Sequence, residues 1–492
     1  MKMGWGGVVV VVMAAAALAG MAAALAPHHV EAMRVLQQQQ QQQQPFGAAR
    51  GAEAFPTQTR RARLNHFDAN DARAFNQHYW VNSMYYRAPA AGKPSRAILY
   101  INGEGPVSGP PASDDDEVVM LAKRYGALIV TLEHRYYGNS SPCNALPEFC
   151  TQDAPHLAYL SVLQHMEDLA EFVGETNARY FASDALPPAW ICVGGSYSGA
   201  TSAWFRTKYP HLVQAAVSSS GVVHAIYDFH AWDGQVSTSV GPACAARLTA
   251  LLAGLEQRFA ADREALCALF EAEQTCAVPG DFFRGIADVF GETVQYGYQL
   301  VLCPLLEATA DDDLVSVFAN YTTSFWVPKF GPLDQYSTAV QAEPQWSLSV
   351  AFNYRLWWWQ KATEFAWLQT PSSPTPMRSA VVNMTYYAYH IEQLFGPDIV
   401  TGPAVVDHTN IIFGGNETAG SRIVFVDGSQ DPWKHASIAQ SLGVDRPYVE
   451  VTCLNCGHCQ DLKGTCYGVC QPNPDAVQVA WGAIVSYMDQ WF

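Results

Sequence analysis

The chain has 492 residues, of which 49% are hydrophobic and only 15% charged, with 14 tryptophans. That balance excludes a disordered chain and calls for a large packed core. The 28 Lys and Arg against 45 Asp and Glu leave a formal charge of -17, which repels phosphate backbones and argues against a nucleic-acid partner.

Lys2 precedes an uncharged run from Met3 to Ala26 that ends in the small-x-small triplet Ala24-Leu25-Ala26. Residues 1–26 therefore read as a secretory signal. The run is also long enough to cross a bilayer at about 20 residues, so an uncleaved anchor is the alternative; otherwise no stable membrane insertion is expected. Residues 27–63 hold the polyglutamine tract Gln37–Gln44 and a Gly, Ala and Arg-rich stretch, a low-complexity spacer or propeptide with nothing to bury. Folded sequence is expected from Leu64. Export makes disulfides the default reading of the 12 cysteines. It also makes Asn139, Asn320, Asn383 and Asn416, each in an Asn-x-Ser/Thr sequon, candidate glycosylation sites.

From Leu64 onward strand and helix signals alternate. Ala97–Ile101 is an apolar run ending in the turn Asn102-Gly103-Glu104-Gly105-Pro106. Val118–Tyr125 is helix-like and Ala127–Leu132 is a buried strand. Ala158–Thr176 carries apolar residues at three- and four-residue intervals and predicts an amphipathic helix. Trp190–Val193 is a strand, Gly199–Lys208 a helix stopped by Pro210, and Ala215–Ser218 a strand. Strands separated by helices predict an α/β fold with a parallel sheet covered on both faces. From about Val222 to Val400 helical patterns dominate, around Cys244, Cys267, Cys276, Cys303 and the cluster Trp357-Trp358-Trp359. Strand signals return at Arg422–Val426 and Tyr448–Thr452, and Asp475–Trp491 predicts a last helix. The chain thus divides into a first sheet portion (64–221), a mostly helical insertion (222–404) and a second sheet portion (405–492).

Gly194-Gly195-Ser196-Tyr197-Ser198-Gly199 places a serine on a sharp turn between a buried strand and a helix. Such an elbow exposes the hydroxyl of Ser196 and aims the amide of Tyr197 at a developing oxyanion. It departs from G-x-S-x-G, because Ser198 stands where the last glycine belongs. A serine nucleophile needs a base and an orienting acid, which in α/β-hydrolases follow in the order Ser, Asp, His. Asp427 and Asp431 lie in the loop after Arg422–Val426, and His458 lies in the loop after the next strand, with His408 and His435 as competitors. Cys453, Cys456, Cys459, Cys466 and Cys470 around His458 have zinc-like spacing; in an exported chain, disulfides bracing the histidine loop are the preferred reading, and neither metal nor cofactor is expected. Glu133–Gly138 reads as a strand end and tight turn beside the site.

These motifs occur together and in order. Asn65-His66-Phe67, Phe75-Asn-Gln77-His-Tyr79, Asn102-Gly-Glu-Gly105, Glu133-His-Arg-Tyr-Tyr-Gly138, the Ser196 elbow, Thr363-Glu-Phe365, Asp431-Pro-Trp433 and His458-Cys459 resemble the serine peptidase family that contains lysosomal Pro-X carboxypeptidase, dipeptidyl peptidase II and thymus-specific serine protease. The likeness runs from about Leu64 to the C-terminus. It implies an α/β-hydrolase fold with an inserted, mostly helical cap, and a triad of Ser196 as nucleophile, Asp431 as acid and His458 as base. The amides of Tyr197 and of the Gly103–Glu104 turn would hold the oxyanion, and relatives form homodimers. The Gly-Glu-Gly form of the first loop is closest to the thymus-specific branch, which leaves a proline preference open. Ala362 stands where the family usually has cysteine, so the disulfide pattern must differ there or a partner cysteine is left free.

The leading expectation is a secreted or lysosomal serine exopeptidase acting on peptides, of dipeptidyl-peptidase or carboxypeptidase type. Glu104, Trp358, Glu364 and Trp433 are the candidate substrate contacts, with cap core as the alternative for Trp358 and Glu364. An esterase or lipase shares the fold and triad, and a catalytically silent binding protein is a third class, against which the filled triad positions count.

Overall fold

The computed structural model describes residues 55–345, 350–372, 374–464 and 474–492. The expected signal, the polyglutamine tract, Cys466 and Cys470 lie outside the described residues. Ten strands are present among those described: β1 (Gln58–Arg63), β2 (Ala74–Asn82), β3 (Arg96–Ile101), β4 (Leu128–Leu132), β5 (Ala189–Gly195), β6 (Ala215–Ser219), β7 (Ile226–Asp228), β8 (Ala366–Leu368), β9 (Ile423–Gly428) and β10 (Tyr448–Val451). Eight form one sheet in the order β1-β2-β4-β3-β5-β6-β9-β10, the arrangement of an α/β-hydrolase sheet.

Two expectations are corrected here. The sheet is mixed rather than parallel, since β2 runs antiparallel to both β1 and β4 while the other neighbours are parallel. Folded sequence also includes β1, upstream of Leu64. Arg60 disguises that strand: its side chain points inward and is buried, paired with Glu171 and Glu175, so the segment reads as polar although half of it faces a core.

The central strands are apolar because both faces of the sheet are covered. Successive residues feed opposite cores. Leu99, Val130, Cys192 and Phe425 belong to one cluster, and Ile98, Ile129, Val193 and Val426 to the other. Helix α1 (Glu117–Tyr125) and the C-terminal helix pack with the second cluster through Val118, Leu121, Ile484 and Met488. Helices α2 (Val162–Tyr180) and α3 (Tyr197–Lys208) pack with the first. The helix expected over Ala158–Thr176 begins only at Val162, where the Ser161 hydroxyl accepts from the Gln164 amide, and it continues to Tyr180. An N-cap serine satisfies an amide that the preceding apolar residues could not.

Between β6 and β9 the chain leaves the large sheet. This insertion is helical apart from the short parallel pair β7 and β8. Its long helix, α4 (His230–Ala261), turns at Gly241, which has a φ of +76° and precedes Pro242. Helix α5 (Pro279–Gln295) crosses toward the carboxyl ends of β5 and β9. The insertion and the first cluster share one continuous core.

Candidate active site

Ser196 lies at the junction of β5 and α3 with φ +61° and ψ -128°, a backbone state that a non-glycine residue adopts only under constraint. The neighbouring small residues explain how the turn closes. A Cβ on Gly194 would fall 2.2 Å from the carbonyl oxygen of Ser198, and one on Gly199 would fall 2.5 Å from that of Ser219. Glycine is thus required at 194 and 199. Serine is tolerated at 198, where its hydroxyl donates to the Gly195 carbonyl at 2.7 Å.

Asp431 and His458 come from adjacent loops. Asp431 follows β9; its Oδ1 accepts from the Trp433 amide at 2.8 Å and its Oδ2 lies 2.8 Å from His458 Nδ1. Asp427, the other candidate, instead accepts from the Ser437 hydroxyl at 2.6 Å. The two loops are laced together: the Gln430 amide donates to the Cys456 carbonyl at 2.8 Å, and the Ser429 hydroxyl to that of Cys453 at 3.0 Å. Cys453 and Cys456 form a disulfide, which removes two of the five cysteines from the metal reading. Cys459 is a free thiol. The His458 amide donates 2.7 Å to the carbonyl of Gln295 at the end of α5, tying the imidazole's loop to the insertion.

Ser196 and His458 line one cavity of about 530 Å³. No hydrogen bond joins Ser196 Oγ to His458 Nε2 in this state, and Nε2 is buried without a partner among the described residues. Hydroxyl–imidazole bonds at such sites are often loose until substrate arrives. Burial works against the charged ring, but the Asp431 carboxylate and the neighbouring Cys459 together hold His458 well above its ordinary pKa. His435 lies 3.1 Å from Gln235 Oε1, and His408 is exposed on a surface helix; neither meets an aspartate of the β9 loop.

Glu104 lines the same cavity, and a Cβ on Gly103 would lie 3.8 Å from Ser198 Oγ, so this turn runs beside the elbow. Trp358 and Trp433 also line the cavity. Glu364 does not: its Oε1 accepts the Val162 amide at 2.9 Å, at the start of α2. A carboxyl oxygen there satisfies an orphan helix amide, which accounts for its place away from the cavity. The side chain of Tyr197 is fixed from behind, 2.9 Å from His134 Nε2 and accepting from Gln360 Nε2 at 3.0 Å. Arg135 pairs with Asp168 through two contacts of 2.7 Å. Glu133–Gly138 thus braces the elbow from below.

Sequence reasoning missed the cap-side lining: Arg284, Asp288, Glu292 and Lys361. Spaced charges on a helix read as a solvated face, and nothing local signals that the face closes over a cavity. Of the candidate glycosylation sites, Asn139, Asn383 and Asn416 are exposed and Asn320 is half-buried.

A family model described as serine carboxypeptidase S28 matches residues 62–468. The probable serine protease EDA2 of Arabidopsis thaliana is 36% identical over 82% of this chain and 80% of its own length. Thymus-specific serine protease of Mus musculus is 29% identical over 85% of this chain and 84% of its own. A probable extracellular serine carboxypeptidase of Arthroderma benhamiae is 26% identical over 80% and 62%. Among solved structures, proline iminopeptidase of Mycobacterium smegmatis aligns over 87% of this chain and 98% of its own, at 12% identity and a TM-score of 0.37.

Proposed function

Because this chain belongs to the serine carboxypeptidase S28 family of serine peptidases, we propose that it hydrolyses peptide bonds near a chain end through an acyl-enzyme formed on Ser196. The single observation that carries this reading is that Ser196 and His458 line one cavity while Asp431 bonds the imidazole from behind. In the proposed reaction, His458 Nε2 takes the hydroxyl proton as Ser196 Oγ attacks the carbonyl carbon. Asp431 fixes the tautomer by accepting from Nδ1–H and stabilises the imidazolium. The amides of Tyr197 and of the Gly103–Glu104 turn hold the oxyanion, each worth on the order of 3 kcal/mol in the transition state. The imidazolium then protonates the leaving amine. Water, deprotonated by the same ring, releases the acid and restores the hydroxyl.

A cavity of about 530 Å³ roofed by the insertion holds a few residues, not a folded loop, which favours chain ends as substrates. The four disulfides among the described residues support passage through an oxidising compartment, and a secreted or lysosomal location belongs to the same proposal, as does the homodimer that the family resemblance implies.

A fluorophosphonate tests the reading. It is expected to label wild-type protein at Ser196 and to leave Ser196→Ala unlabelled, while a defined peptide mixture, including peptides with a penultimate proline, loses terminal segments by mass. Absence of labelling in folded wild-type protein overturns the proposal.

A further inference from the structure

Helix α5 carries a polar row that leads away from the catalytic end of the cavity. Past Pro279, its partly accessible residues are Asp288, Glu292 and Gln295, and all three line the cavity while the rest of the helix is buried. Gln295 is anchored at the site: its carbonyl receives the His458 amide at 2.7 Å and its Oε1 the Trp433 indole at 2.8 Å. A rise of 1.5 Å per residue puts Glu292 about 5 Å and Asp288 about 10 Å further along the axis. An extended peptide advances about 3.5 Å per residue. Glu292 therefore stands one to two substrate residues along the helix from Gln295, the residue that holds the backbone of His458.

The charges around this row are unequally matched. Asp288 lies in the field of Arg284, Arg378 and Lys361. Arg284 donates through Nη2 to the Tyr336 carbonyl at 2.6 Å and lies against the Trp358 ring, while its Nε is buried without a partner among the described residues. Lys361 lies 4.3 Å from the Trp358 ring centroid, and burial pushes its amine down to about 7. Glu292 has no cation acting on it. Its Oε2 is buried with no hydrogen-bond partner among the described residues, and the charge acting on it is another carboxylate, Asp288. A buried carboxyl with no cation is left in want of one. A substrate carboxylate here would face Glu104, Asp288 and Glu292, against one lysine weakened by burial and one arginine whose charge Asp288 already offsets.

We infer that Glu292 receives the free ammonium of a substrate's amino terminus, so that the enzyme removes short N-terminal segments rather than C-terminal residues. The inference rests on the peptidase reading above and assigns which chain end enters. Glu292 is a specificity residue: it binds the terminus and takes no part in proton transfer to Ser196.

The test compares one peptide in three forms, free at both ends, N-acetylated and C-amidated. For wild-type protein, acetylation is expected to lower kcat/KM by at least about 10-fold, the scale of one charge-assisted hydrogen bond, and amidation to leave it unchanged. Glu292→Gln is expected to raise KM for the free peptide about 10–100-fold and to bring the ratio of free to acetylated peptide toward one; Glu292→Asp should restore part of that ratio. Equal cleavage of free and acetylated peptide by wild-type protein, or suppression by amidation, overturns the inference while leaving the peptidase reading intact. Failure of the fluorophosphonate to label Ser196 overturns both. The wild-type comparison needs no variant to fold.

Discussion

Two aspartates reach the loop after β9, and they do different work. Asp431 meets the imidazole and the Trp433 amide, whereas Asp427 bonds Ser437. Replacing Asp431 by Asn keeps the shape but favours the wrong tautomer, and kcat is expected to fall about 10⁴-fold. The pH profile separates this from a mere loss of order. A base must be deprotonated to act, so kcat/KM rises as pH rises through the His458 pKa, which the Asp431 charge holds up against burial. In Asp431→Asn the residual activity should begin its rise at lower pH, and an unmoved acid limb would count against the assignment. Asp431 and His458 were legible because each stands in a short loop directly after an apolar run. Glu292 and Asp288 were not, because only the folding of the insertion over the sheet turns a polar helix face into a cavity wall.

The elements repeat that division. Strands β3, β4, β5, β6 and β9 are legible as apolar runs since neighbours cover both of their faces. β1 and β2 are not: in Gln58–Arg63 and Ala74–Asn82 the buried positions include Arg60, Gln77 and Asn82, whose polar atoms are satisfied by distant partners such as Glu171, Glu175 and the Glu133 carbonyl. The contact between the histidine loop and α5 is equally non-local, and it can be tested. A Cβ on Gly457 would lie 2.1 Å from the Gln295 carbonyl oxygen, a backbone atom that cannot rotate away. Gly457→Ala must therefore push the loop off the helix end and displace His458. A misplacement near 1 Å is worth about 100-fold in rate, so kcat is expected to drop by about that factor, with about 1–3 kcal/mol of stability lost to overpacking. Gly174→Ala, in α2 with open space around its Cβ position, is the control and should leave the rate unchanged.

At the scale of the whole molecule, the buried carboxyls tie stability to pH. Burial pushes Glu364 up to about 8 and Asp461 to about 6, and raises Glu117, Glu292 and Asp427 well above the usual carboxylate range. A group raised on folding stabilises fully below its unfolded value, about 4 for a carboxyl, and that contribution is lost as pH rises through the folded value. His458, also raised, has the same sign. Buried neutral His134, His165 and His390 have the opposite sign, since burial lowers them; their effect ends once the unfolded histidines lose their charge above about 6.5. Lys361, lowered by burial to about 7, opposes the carboxyls above that pH. Around pH 7 to 8, folded Glu364 therefore keeps a proton that its unfolded counterpart has lost. Glu364→Gln removes that group, so the stability of wild-type protein is expected to fall relative to the variant's across that window, by up to about 1.4 kcal/mol per pH unit. A wild-type stability that does not fall relative to that of Glu364→Gln would show that Glu364 is already ionised in the folded protein.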